Sequence, residues 1–200
     1  MKPSLTRPLL TAALLLSPAA AYAHTGLGDT HGFAHGFAHP ISGLDHVLAM
    51  VTVGIFAAHL SGRALWAVPA AFVALMAVGG GLGMAGVDVP FVELGIALSV
   101  VVLGLAVASG PKNWPLGVAM ALVGFFAIFH GHAHGAEMPE NVSGALYAAG
   151  FMLATTALHL AGIGLGFAVG RFGDRLAPRL TQVAGGVMAV AGVGLLTGVL

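Results

Sequence analysis

Between residues 41 and 199 the chain passes through six apolar runs, at 41–60, 65–85, 89–108, 115–130, 143–170 and 180–199. Short groups of Gly, Pro and charged residues separate them. A helix needs about 20 apolar residues to cross ~30 Å of hydrocarbon, and helices of that kind satisfy their own backbone polar groups inside lipid. The runs therefore predict membrane-spanning helices. The fourth is short for a span, and the fifth is long enough to require tilt or a kink. Composition agrees: seven basic and seven acidic residues make 7% of 200, and the mean hydropathy is +0.98. Soluble domains carry about 25% charged residues, so a water-soluble enzyme is excluded. Zero formal net charge gives no surface for a polyanion, and nucleic acid is not an expected partner.

Two further counts narrow the chemistry. There is no cysteine, which excludes disulfides, thiolate zinc sites and covalent c-type haem, and leaves His, Asp, Glu, Met and backbone as metal ligands. Glycine is 31 of 200, about twice the usual ~7% and without a collagen period. In an apolar chain that excess points to helices packed backbone to backbone. Gly162, Gly166 and Gly170 form two overlapping G-x-x-x-G frames, and Gly79, Gly80, Gly81 and Gly83 cluster in the second run; both are read as close helix contact. Ten histidines outnumber Lys and Arg together.

The amino terminus reads as a cleaved secretory signal. Lys2 and Arg7 precede a short apolar core, followed by Ser17-Pro18 and Ala21-Tyr22-Ala23, the charge, core and A-x-A order of such signals. Cleavage after Ala23 leaves His24 as the first mature residue and removes Lys2 and Arg7, so five of the seven basic residues remain against seven acids. With that end outside, Arg63, Lys112, Arg171, Arg175 and Arg179 all fall on the cytoplasmic side, whereas the outer segments hold Asp29, Asp88, Glu137 and Glu140. The positive-inside rule thus supports the same orientation. The expected fold is an all-α integral membrane protein: signal peptide at 1–23, a His/Gly-rich outer segment at 24–40, and a six-helix transmembrane domain at 41–200 with both mature ends outside.

Polar residues segregate on this topology. His24, His31, His35 and His39 lie in the outer segment, Asp45 and His46 in the outer part of the first helix, Glu93 near the outer end of the third, and His130, His132 and His134 at the end of the fourth. His59 and His159 fall toward the inner side, as core or interface histidines or as exit-path residues. A carboxylate at helix depth costs ~2.5–3.5 kcal/mol on insertion scales, so Asp45 needs a partner or a cation. Pro40 suits a first helical position, with His39 as the cap. His39 and His46, seven residues apart, then lie two turns from each other, too far for one ion with metal–nitrogen bonds of ~2.0–2.1 Å. Either they serve successive sites, or Gly43 lets the helix start unwind so that they converge. His130 and His134 share a face at i, i+4, though Gly131 and Gly135 argue for fraying there; His132 points elsewhere and is read as solvated. The four-residue spacing of His31, His35 and His39 fits either a helical face or a flexible tract. The free amine and imidazole of a mature His24 form a chelate, or belong to a plain tail.

At these residues the chain resembles the HupE/UreJ family of nickel/cobalt permeases, encoded beside hydrogenase and urease genes. The resemblance rests on H-P-x-x-G-x-D-H at His39–His46, with Ala49-Met50 following, and on F-H-G-x-A-H-G at Phe129–Gly135. The 93–100 stretch and the signal ending before His-Thr-Gly also fit. It implies uptake of Ni2+ first and Co2+ second across a bacterial inner membrane, with His39, Asp45, His46, His130 and His134 in the pathway. His24, His31, His35, Glu93 and His132 are accessory candidates. The larger nickel/cobalt transporter family carries H-x4-D-H, whereas here five residues separate His39 from Asp45. No permanently bound cofactor is expected, and the resemblance adds nickel-enzyme maturation proteins to the bilayer and the ion as partners. A homo-oligomer is compatible with all of this. Ligand chemistry alone gives Ni, Co or Zn equally and disfavours Cu(I).

No Walker motif is present, so the chain does not use ATP by itself. Two charges moving inward through ~100 mV release about 4.6 kcal/mol. Two other classes compete: a b-type haem electron carrier with opposed histidines, such as His46 with His130 or His59 with His159, and a membrane accessory or sensor protein that holds metal without moving it. Asp45 beside His46 is poorly explained by haem.

Overall fold

The computed structural model describes residues 30–110, 113–138 and 142–200. The expected signal peptide, His24, Asp29, Lys112 and Glu140 lie outside the described residues. Within them the chain is all-helical, with seven helices and no strand: α1 (Thr30–Ser42), α2 (Leu44–Leu60), α3 (Ala64–Met84), α4 (Val92–Ala108), α5 (Leu116–Ala136), α6 (Gly144–Gly170) and α7 (Gly173–Leu196).

Four of them, α3, α5, α6 and α7, are each long and apolar enough to cross a membrane; α1 and α2 pass together as a pair bent by 81°, and α4 is apolar and 17 residues long. The protein is a multi-pass membrane protein. Large apolar side chains such as Trp66, Leu160, Val183 and Val190 stand exposed around the bundle, as a lipid-facing surface requires. The interior is filled by Met50, Val53, Phe56, Val68, Phe72, Leu103 and Val123.

Three helix pairings dominate: α3 with α5, α4 with α7, and α2 with α6, while α1 also lies against α6. Lipid supplies no hydrophobic drive between helices, so contact depends on close approach, and glycine permits it. A Cβ on Gly131 would strike the Met76 carbonyl, and one on Gly135 the Gly80 carbonyl. This corrects the expectation that α5 frays at Gly131 and Gly135. Both glycines are pressed on α3, and the helix runs on through His134 to Ala136. In α6 the Gly frames also serve contact: Gly162 faces Gly54 of α2 and Gly166 faces Ala58, whereas Gly170 meets nothing within 4 Å.

Three other boundaries differ from the expected ones. The His/Gly-rich stretch is helical from Thr30, docked where Gly36 meets the Tyr147 carbonyl and Gly150 meets the Phe33 carbonyl. Pro40 lies inside α1 rather than opening the next helix. The break comes at Gly43, whose extended backbone (φ −94°, ψ 124°) caps α2. Finally, α7 begins at Gly173, so that Asp174, Arg175 and Arg179 belong to its first turns instead of to a loop. Long basic side chains tolerate that position because they reach from a helix end back to the polar boundary.

Candidate metal centre

The bend at Gly43 brings three elements to one place. α1 contributes His39 from its last turn, α2 contributes Asp45 and His46 from its first, and α5 contributes His130, His134 and the cap residue Glu137 from its end. With Ser42, Gly43, Ile96, Ala133 and Glu93 of α4, all of these except His130 line a cavity of about 240 Å³. The negative Asp45 sits at a helix N-terminus, where the macrodipole favours it.

The rings converge closely. Ring centroids are 4.4 Å apart for His46 and His134, 4.8 Å for His46 and His130, and 4.6 Å for His39 and His134. The backbones of α2 and α5 are nevertheless not a closely packed pair. The imidazoles themselves fill the space between them.

Hydrogen bonds fix which ring nitrogens are exposed to a ligand. The carboxylate of Asp45 only accepts, so His46 donates its Nδ1–H to Asp45 Oδ1 at 2.7 Å, and its backbone N–H donates to the same oxygen at 2.8 Å. That leaves a lone pair on His46 Nε2, which faces His134 Nε2 at 2.5 Å. In neutral rings His134 Nε2–H donates across this contact. A cation can replace that proton, and carboxylate behind imidazole is the usual support for a metal-ligating histidine. Ser99 on α4 does the same for His130: its hydroxyl donates to the Ile96 carbonyl at 2.6 Å, and so accepts from His130 Nε2–H at 2.9 Å. His130 Nδ1 is then the free nitrogen, and it has no hydrogen-bond partner among the described residues.

Exposure is graded along the cavity. Side-chain exposure falls from 59% at Glu137 through 37% at His39 to 28% at Asp45, and His130 is fully buried. His39 Nε2 lies 3.7 Å from Glu137 Oε2, and ligand atoms of His39, His134 and Glu137 all fall within 4.8 Å of one another. Glu137 was not among the site residues expected from sequence. Its signal was there: it follows His134 by three and His130 by seven, on the same helical face.

The accessory candidates are placed apart or at the rim. Glu93 lines the cavity. His35 is exposed on α1, one turn before His39, and His31 lies in the same helix. His132 is buried rather than solvated, because its Nε2–H donates to the Val87 carbonyl at 2.7 Å and ties the α3–α4 loop to α5. Neither His59 nor His159 lines this cavity.

The family model described as HupE / UreJ protein matches residues 12–195. The chain belongs to the HupE/UreJ family. It is 50% identical over 188 residues to Protein HupE of Rhizobium leguminosarum bv. viciae, covering 94% of this chain and 96% of that one. No solved structure matches this HupE/UreJ chain.

Proposed function

We propose that this chain is a secondary permease of the bacterial inner membrane. It takes up a divalent transition metal, Ni2+ before Co2+ with Zn2+ compatible, from the periplasm to the cytoplasm. In this reading residues 1–23 are a cleaved signal peptide, α2 to α7 are the six spans, and both mature ends are periplasmic. Arg63, Arg171, Arg175 and Arg179 then mark the cytoplasmic end, and the carboxylate–imidazole cavity opens outward.

The observation that carries the reading is the facing pair His46 Nε2 and His134 Nε2, with Asp45 behind His46. An ion arriving at the mouth meets Glu137 and His39 first, then exchanges bound water for His46 and His134, with His130 beneath. Asp45 offsets its charge. Imidazole with carboxylate suits Ni, Co or Zn, and family membership supports the order Ni before Co. Inward movement is favoured by the membrane potential, by ~4.6 kcal/mol for two charges at 100 mV. Nickel-enzyme maturation proteins are the partners that would receive the ion.

The haem alternative fits less well. With centroids 4.8 Å apart, the His46 and His130 rings leave no room for a porphyrin between them, as bis-histidine ligation requires. A Soret band in the purified protein would reverse that judgement. Metal accumulation in cells with and without the gene, across Ni, Co, Zn, Cu and Mn, tests the permease directly. Selective accumulation of Ni or Co is expected. Binding without gene-dependent accumulation would leave a metal-holding accessory or sensor protein.

A further inference from the structure

One buried imidazole plays no part in the outer cavity. His159 of α6 is 1% exposed, and both of its ring nitrogens lack a hydrogen-bond partner among the described residues. Its ring stands edge-on to Phe72 of α3, with centroids 5.2 Å apart. The same Phe72 ring also meets His130, at 5.8 Å, and His130 keeps Nδ1 unpartnered. Phe72 and His130 are fully buried. A histidine serving only to pack would lose nothing as Leu or Phe, and leaving both nitrogens unsatisfied in a bundle interior is unfavourable. Ionisable groups placed this way inside spans mark ion or proton paths.

The inner end of the bundle supplies a destination. A cavity of about 350 Å³ lies there, lined by His59, Ser61, Asp174 and Thr181 among others, with Gly166 of α6 on its wall. Gly166 follows His159 by seven residues, about 10 Å along the helix. His159 therefore sits between His130, across the Phe72 ring, and a polar chamber at the end that carries Arg63, Arg171 and Arg175.

We propose that His159 is an inner station for the transported divalent cation, receiving it from His130 past Phe72 before release into the chamber at His59 and Asp174. The proposal rests on the permease reading, and its test separates the two. The chain has no cysteine, so His159→Cys introduces a single thiol. The purified full-length variant is titrated with Co2+, whose thiolate complexes absorb by charge transfer. A thiolate–cobalt band is expected once the outer histidines are filled, absent from the unsubstituted protein and from His159→Leu. In cells, His159→Leu should accumulate Ni2+ at least ~10-fold less at equal membrane level, while outer-site Co2+ affinity in the purified variant stays within about twofold. No band from the folded Cys variant, or near-normal uptake by the Leu variant, overturns the proposal. Absence of uptake by the unsubstituted protein defeats the permease reading instead, and the cobalt band still reports whether an ion reaches residue 159.

Discussion

His46 and His134 meet nitrogen to nitrogen at 2.5 Å across 88 residues of sequence. Two neutral imidazoles share one proton at that distance, and two protonated ones would repel strongly in a buried setting. Ligands of a single ion with bonds of ~2.0–2.1 Å keep their nitrogens about 3 Å apart. The pair needs to open by at least about half an ångström to admit a cation.

Loss of the support behind that pair should be severe. Asp45→Asn removes the compensating charge and His46→Ala a ligand; each should lower Ni2+ accumulation about 10- to 100-fold, with the protein still present in the membrane. Near-normal accumulation by either variant, at equal protein level, would reduce the pair to a structural pin.

Ser99 acts one step further back. Ser99→Ala removes the acceptor that holds His130 Nε2–H, so the ring is free to turn or change tautomer. Ni2+ binding by the purified protein should weaken about 10-fold, and Ser99→Thr should retain most of it. Equal weakening by both variants would tie the loss to packing rather than to the hydroxyl.

Glu137 belongs to the mouth. Because it is exposed and 3.7 Å from His39, Glu137→Gln should raise the metal concentration for half-maximal uptake by roughly threefold while the maximal rate holds. The difference should shrink as salt is raised, since exposed charges are screened. Uptake kinetics at low and high ionic strength read this directly; a fall in maximal rate alone would place Glu137 deeper in the mechanism.

The α3–α5 contact sets a contrasting pair. Gly131→Leu drives a side chain into the Met76 carbonyl and should cost at least about 1–3 kcal/mol as overpacking. Gly81→Ala meets nothing within 4 Å and should be neutral or stabilising by up to ~1 kcal/mol. Thermal unfolding in one detergent compares them. Similar stability of the two variants would mean that the helices part easily at Gly131.

Intact mass should show a chain that begins at His24. A protein retaining Lys2 and Arg7 would move the amino terminus to the other side of the topology argument and remove the amine chelate at His24.

Much of this was legible in sequence because it depends on local properties. Apolar run length and the scarcity of charge dictate helices in lipid, and the helix ends at Leu60, Ala108 and Gly170 agree with their punctuation. The D-H pair at Asp45-His46 and the i, i+4 histidines His130 and His134 stand out by type and spacing alone, and the fold brings their side chains together. What sequence could not give is where the chain bends and which backbones touch. Pro40 and Gly43 offer two places to break a helix, and the choice follows from α1 docking on α6 through Gly36 and Gly150, a contact between distant segments. Gly131 and Gly135 look like helix breakers until α3 is laid against them; then missing side chains become a packing surface and α5 extends to carry Glu137. His39 joins His134, and His159 is left unsatisfied beside Phe72, for the same reason. Coordination distance and burial are set by the approach of helices far apart in the chain, and only the assembled bundle fixes that approach.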